Sequence, residues 1–173
     1  MGVAILVLVG GLVLGFLGLG FYARRGEGKP DRPGERSTVS FSGGSALLAE
    51  DELSKLEEDG LYVGLGTITA VLAKLNEAGI SANEPQPDVP GWAAHIGEPG
   101  AQSYLLLGEM DEDRWLLILQ DPSSGGPGRT EHLQPIDDAL RAIPALSDIR
   151  WIPRGTDPFG DGTDSPFDEA PAV

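Results

Sequence analysis

Glu109, Asp111 and Asp113 stand at alternate positions in the run Gly-Glu-Met-Asp-Glu-Asp-Arg that ends at Arg114. Clustered oxygens of this kind hold Ca2+ or Mg2+. A calcium loop also needs a glycine at its sixth position and a closing glutamate, and the run has neither. It reads instead as an acidic, solvated hairpin tip that blunts edge-to-edge aggregation. The acids between Asp157 and Asp164 could bind calcium weakly, but an acidic tail needs no metal. His95 and His132 are the two histidines, and neither stands in a metal-ligand spacing. Cysteine is absent, which removes disulfides, thiol nucleophiles and thiolate metal sites.

Gly64-x-Gly66 follows a short strand-like start and opens a helical pattern, as in the first turn of a dinucleotide fold. The third glycine position holds Thr69, and no alternating β-α series follows, so the pair reads as a tight turn feeding a helix. No nucleophile elbow of the Gly-x-Ser-x-Gly kind is present, and the serines from Ser40 to Ser45 lie in a linker with no frame to position a base. No cofactor is implied. Acid/base pairs of carboxylates leave no sequence signature, so an enzyme using such a pair stays open as an alternative.

The elements that must carry these residues fall into four zones. Residues 3–22 run twenty positions without a charged or strongly polar side chain. A helix of that length spans roughly 30 Å, enough for a bilayer. The poor cleavage signal at Phe21-Tyr22-Ala23 argues for an uncleaved signal-anchor over a secreted leader. Arg24, Arg25, Lys29, Arg32 and Arg36 follow it, so the positive-inside rule puts the N-terminus out and the rest of the chain on the cytoplasmic side of the cell (inner) membrane. Residues 23–45 are rich in Gly, Pro, Ser and charge and read as a flexible linker. Residues 46–153 form the folded domain, and 154–173 an acidic tail expected to be disordered.

Within the domain, Ser45 to Gly60 reads as a helix with a thin apolar stripe. Ile68, Val71, Leu72 and Leu75 repeat at helical spacing, with Gly79 as the stop. Three strands follow in Gly91–Gly97, Ser103–Met110 and Arg114–Asp121, the last two a hairpin. A short helix starts at Pro135, turning Ile136, Leu140 and Ile143 inward, and Asp148–Pro153 is the final strand. The order α-α-β-β-β-α-β gives an α+β domain with a mostly antiparallel four-stranded sheet behind a single transmembrane helix. Leu105–Leu107 and Trp115–Leu119 are apolar on both faces, so the sheet needs cover on both sides, from its own chain, a partner or a second copy.

The net charge of −15 disfavours nucleic acid as a ligand. Two features point toward partners. Gly11, Gly15 and Gly18 share one face of the apolar segment and suit close packing of a second helix, from a membrane protein or another copy, within the lipid bilayer. In the tail, Asp157-Pro158-Phe159 and Ser165-Pro166-Phe167-Asp168 each set an aromatic ring beside a proline among acids. Phe159 and Phe167 suit docking into a pocket with a basic rim on a cytosolic protein, at little ordering cost. The expectation is a non-catalytic single-pass adaptor, assembly factor or accessory subunit of a membrane complex. The alternatives are a tethered sensor for a small ligand or cation, and the carboxylate enzyme.

Overall fold

A computed structural model describes residues 30–49, 52, 63–88, 91–111, 113–154, 156–157 and 160–168. Among them are six strands, β1 (Thr38–Ser42), β2 (Gln86–Asp88), β3 (Gly91–Ile96), β4 (Ser103–Asp111), β5 (Arg114–Gln120) and β6 (Ser147–Ile152), and two α-helices, α1 (Leu65–Glu77) and α2 (Leu133–Arg141). The strands form one sheet in the order β2-β3-β4-β5-β1-β6, with every neighbouring pair antiparallel.

Strand alternation sorts the apolar residues onto two faces. Val39, Phe41, Ala94, Ile96, Leu105, Leu107, Trp115, Leu117, Leu119, Ile149 and Trp151 form one core with the inner faces of both helices. From α1 come Ile68, Val71, Leu72 and Leu75, the four positions that the helical spacing marks. Ile136, Leu140 and Ile143 come from α2 and the residues just after it. Leu106, Leu116, Ile118 and Ile152 point the other way, and all four are buried. Of the described residues, Met110 packs against Leu116, Ile118 and Ile152.

Several expectations need correction. The sheet has six strands rather than four. The first additional strand is β1, which lies inside the stretch assigned to a flexible linker and sits in the sheet between β5 and β6. Its sequence, Thr-Val-Ser-Phe-Ser, alternates small polar with apolar residues, so only Val39 and Phe41 signal a core face, and the flanking Gly and Pro hide them. The second, β2, is a three-residue edge in the Pro-rich loop. Where a helix was expected from Ser45, the chain makes a 3-10 turn over Gly44–Leu47. Residues 50–51 and 53–62 lie outside the described residues.

The membrane expectation is corrected as well. The segment 3–22, with Gly11, Gly15 and Gly18, lies outside the described residues. Among the described residues no helix is long and apolar enough to cross a membrane. The thirteen residues of α1 reach only about 20 Å and carry polar residues on the outer face. None of the described residues supplies the helix that the single-pass signal-anchor description and the inner-membrane placement with the N-terminus out required.

The disordered-tail expectation fails for residues 160–168, which run back along the sheet. Thr163 pairs with Trp151 of β6, and Phe167 pairs with Glu35, both antiparallel.

Candidate functional site

The edge of the sheet beyond β6 carries the most elaborate polar arrangement among the described residues. Trp151 and Thr163 exchange two backbone hydrogen bonds, each 2.8 Å long, so the tail begins as a short added strand. Gly162 lies flush against β6, where a Cβ would come within 2.7 Å of the Arg150 Cβ and 3.0 Å of Ile152 Cγ2. Further on, the Arg36 amide donates to Pro166 O at 2.7 Å and the Asp168 amide to Gly34 O at 2.9 Å. These bonds fasten the residues 162–168, here called the strap, to both β6 and the segment entering β1.

Side chains reinforce it with opposite charges. Arg36 Nη2 pairs with Asp168, and Arg150 Nη1 pairs with Asp164. Arg141 donates to the Asp164 carbonyl at 2.5 Å. Pro166 is buried and Phe167 packs against the main core. A cavity of about 440 Å3 lies beside the strap, lined by Arg36, Arg150, Thr163, Ser165, Phe167 and Asp168 among others. Arg36 is the unusual member: its Nε and Nη1 are buried and donate to no acceptor.

The residues first suspected of chemistry serve the frame instead. Asp113, placed by the sequence on a solvated turn tip, accepts from the Gly43 amide (2.9 Å), the Ser45 amide (2.8 Å) and Trp115 Nε1 (3.1 Å). Its partial burial works against ionisation, but the hydrogen bonds from Ser45, Trp115 and Gly43 prevail and hold its pKa below the usual carboxylate range. Glu109 moves the other way: burial raises its pKa, and the neighbouring Asp113 and Asp111 carboxylates add to the rise. Carboxylates with diverging pKa values form acid/base couples in many enzymes. Here both Asp113 oxygens are engaged by N–H groups of its own chain, Oδ1 by Ser45 and Trp115 and Oδ2 by Gly43.

Glu52 accounts for the Gly64-x-Gly66 turn. Its Oε1 accepts from the Gly64 and Leu65 amides at 3.0 and 2.7 Å, and Oε2 from Gly66 and Ala49 at 3.0 and 3.1 Å. The N-terminus of α1 is thus neutralised by a side chain of the same protein, in the position where a dinucleotide fold receives its phosphates. Gly64 itself has φ +104°, and a Cβ there would strike the Trp115 ring at 2.6 Å, so the glycine answers to packing.

The histidines are far apart in role. His95 shares the sheet face of Ala93 and meets the Tyr104 ring in a tilted contact, with centroids 5.1 Å apart and the planes at 57°. His132 is buried, with Nδ1 2.9 Å from Ser103 Oγ, which in turn accepts from the Arg129 amide. Burial lowers its pKa, with Glu131 opposing and Arg129 assisting that shift. Asp137, also buried, accepts from Trp151 Nε1 at 2.8 Å and Arg141 Nε at 2.9 Å, and so ties α2 to β6. Asp121 caps its own loop through the Ser123 hydroxyl and the amides of Ser123 and Ser124, which hold its pKa at about 2. Among the described residues no group of three or more His, Cys, Asp or Glu is placed to hold a metal ion.

Of the two aromatic positions singled out in the tail, the structure places Phe167 at the strap, and Phe159 lies outside the described residues. Sequence reasoning placed the basic rim on a partner protein and did not foresee that Arg36 and Arg150 of the same chain pair with the tail's acids, since no spacing links them to it. The chain matches no protein-family model, no curated protein and no solved structure.

Proposed function

We propose that this protein is a non-catalytic interaction module, an adaptor, assembly factor or accessory subunit that recognises another protein. The observation that supports this reading best is the sheet edge at β6, where Arg36 and Arg150 grip an acidic, proline-containing segment. Strand addition of this kind gives backbone affinity from the edge and specificity from the side chains that meet pockets and charges. Asp113, Glu52, His132 and Asp137, by contrast, are engaged in caps and tertiary bonds within the chain.

The test is quantitative affinity capture with the full-length protein. Arg150→Glu should lose a definite set of bound proteins that Glu77→Lys, on the exposed end of α1, retains. Identical capture by both variants would contradict the reading. A small-ligand sensor is the second reading, favoured by the cavity of about 440 Å3 beside the strap. A ligand whose concentration raises the Tm of the wild type but not of Arg150→Glu would favour it.

A further inference from the structure

We propose that the β6 edge is a receptor groove for acidic peptides of the form Gly-Thr-Asp-Ser-Pro-Phe-Asp, held shut in cis by the protein's own strap. The inference rests on the interaction-module reading and adds the chemistry of the partner. A segment of the same pattern in another protein is the occupant the groove is shaped to receive.

Four observations carry it. The first is the occupant already in place: four backbone hydrogen bonds tie Gly162 to Asp168 to Trp151 of β6 and to the Gly34–Arg36 segment, with the chain bending at Asp164 to Pro166 between the two bridges. The second is charge: in a protein with 27 acidic and 12 basic side chains, two arginines converge on this strip and pair with Asp164 and Asp168. The third is incomplete commitment. Asp168 and Asp164 are 57% and 78% exposed, so their ion pairs are screened and contribute little individually, and Arg36 keeps two N–H groups without acceptors. A latch with weak ionic ends and an unsatisfied anchor is suited to exchange.

The fourth observation is in the sequence. Gly155-Thr156-Asp157-Pro158-Phe159 repeats the strap's Gly162-Thr163-Asp164-Ser165-Pro166-Phe167 with only Ser165 inserted. The protein thus writes the ligand pattern twice, while the β6 edge holds one copy. Selectivity follows from the contacts. Position 162 must be glycine because of Arg150 and Ile152, the ring at 167 meets the core, and the acids at 164 and 168 meet arginines.

The cis strap competes at an effective concentration on the order of millimolar, so a free peptide must displace it. The experiment uses the full chain and a synthetic peptide, GDGTDSPFD, corresponding to residues 160–168. In calorimetric titration, the variant Phe167→Ala/Asp168→Lys, whose own strap is weakened, should bind this peptide about tenfold or more tighter than the wild type does. Adding Arg150→Glu to that variant should weaken binding about tenfold, and a peptide with Val in place of the Gly162 equivalent should not bind.

A second variant guards against one that fails to fold. Glu35 and Phe167 form a non-hydrogen-bonded antiparallel pair, whose Cα atoms lie about 4.5 Å apart, close enough for a disulfide. The protein has no other cysteine, so Glu35→Cys/Phe167→Cys can be locked and released cleanly. The reduced form should bind the peptide and the oxidised form should not. Equal binding by the two forms, or no binding to a folded strap variant at millimolar peptide, overturns the proposal. If such failure coexists with Arg150-dependent protein capture, the module stands and only the peptide pattern falls.

Discussion

Glu52→Ala removes the acceptor of four backbone N–H groups at once, between 2.7 and 3.1 Å away. The Glu52 side chain lies in a residue only 6% exposed, and the bond to Gly64 is buried, so water cannot replace it freely. A hydrogen bond to a charged group contributes about 1.5–3 kcal/mol, and a buried donor left without a partner costs about 1–3 kcal/mol. The loss of a negative charge at the start of α1 adds about 0.3–1 kcal/mol. The other three amides lie nearer solvent and regain part of their bonding, so the expected loss is about 3–5 kcal/mol. For a chain of this size that lowers Tm by about 6–20 °C. Glu52→Gln keeps one acceptor oxygen but turns an amide donor toward facing donors, and should fall about halfway. Urea unfolding followed by circular dichroism measures both variants, with the m-value checking that the unfolding transition is otherwise unchanged. A loss under about 1 kcal/mol for Glu52→Ala would refute the cap and reopen the Gly64-x-Gly66 turn as an anion site.

Three further outcomes follow from the same bonds. Asp113→Ala should cost about 1–3 kcal/mol by releasing the amides of Gly43 and Ser45 and the Trp115 indole, read from the urea midpoint. Asp137→Ala should cost about 2–3 kcal/mol, because the buried Trp151 Nε1 loses its acceptor, whereas Asp137→Asn keeps an oxygen for it and should cost about 1 kcal/mol. His132 is expected to make the protein less stable in mild acid. Its folded pKa lies below the unfolded value, so its contribution is complete above about pH 6.5 and is lost as the pH falls toward the folded pKa. His132→Gln should flatten that part of the stability profile in chemical denaturation from about pH 7.5 to about pH 5.

The parts of the fold that were legible in the sequence are those with strong apolar periodicity. Ile68, Val71, Leu72 and Leu75 marked the buried face of α1, and Gly79 marked its end, where Ile80 and Gly79 amides bond back to Leu75 and Asn76. The β4–β5 hairpin was legible because its strands carry long apolar runs. β1 was not, because Thr38, Ser40 and Ser42 face away from the helices and only two apolar residues remain to signal a strand. The strap was hidden for a related reason: its Gly, Pro and Asp composition matches disordered chain, and its order comes from partners outside it, Trp151 of β6 and, more than a hundred positions away, Gly34 to Arg36. Phe167 was read as an anchor for a partner's pocket, whereas the structure packs it against the protein's own core, made of residues distant in sequence. Likewise, no spacing rule links Asp113 to Gly43, or Glu52 to Gly66, because a carboxylate that caps a turn from afar leaves only an ordinary acid in the sequence.

The proposed function depends above all on the strap being part of the fold and held by Arg36 and Arg150. Hydrogen exchange of the intact wild-type protein, read at the amides of Thr163 and Asp168, tests this most directly, because both donate to backbone carbonyls across the docked segment. Both amides should exchange well below the rate of an unstructured chain, and Arg150→Glu should speed them while leaving the amides of β4 and β5 protected. Exchange of Thr163 and Asp168 at the unstructured rate in the wild type would contradict the docked strap and, with it, the groove on which the proposed function stands.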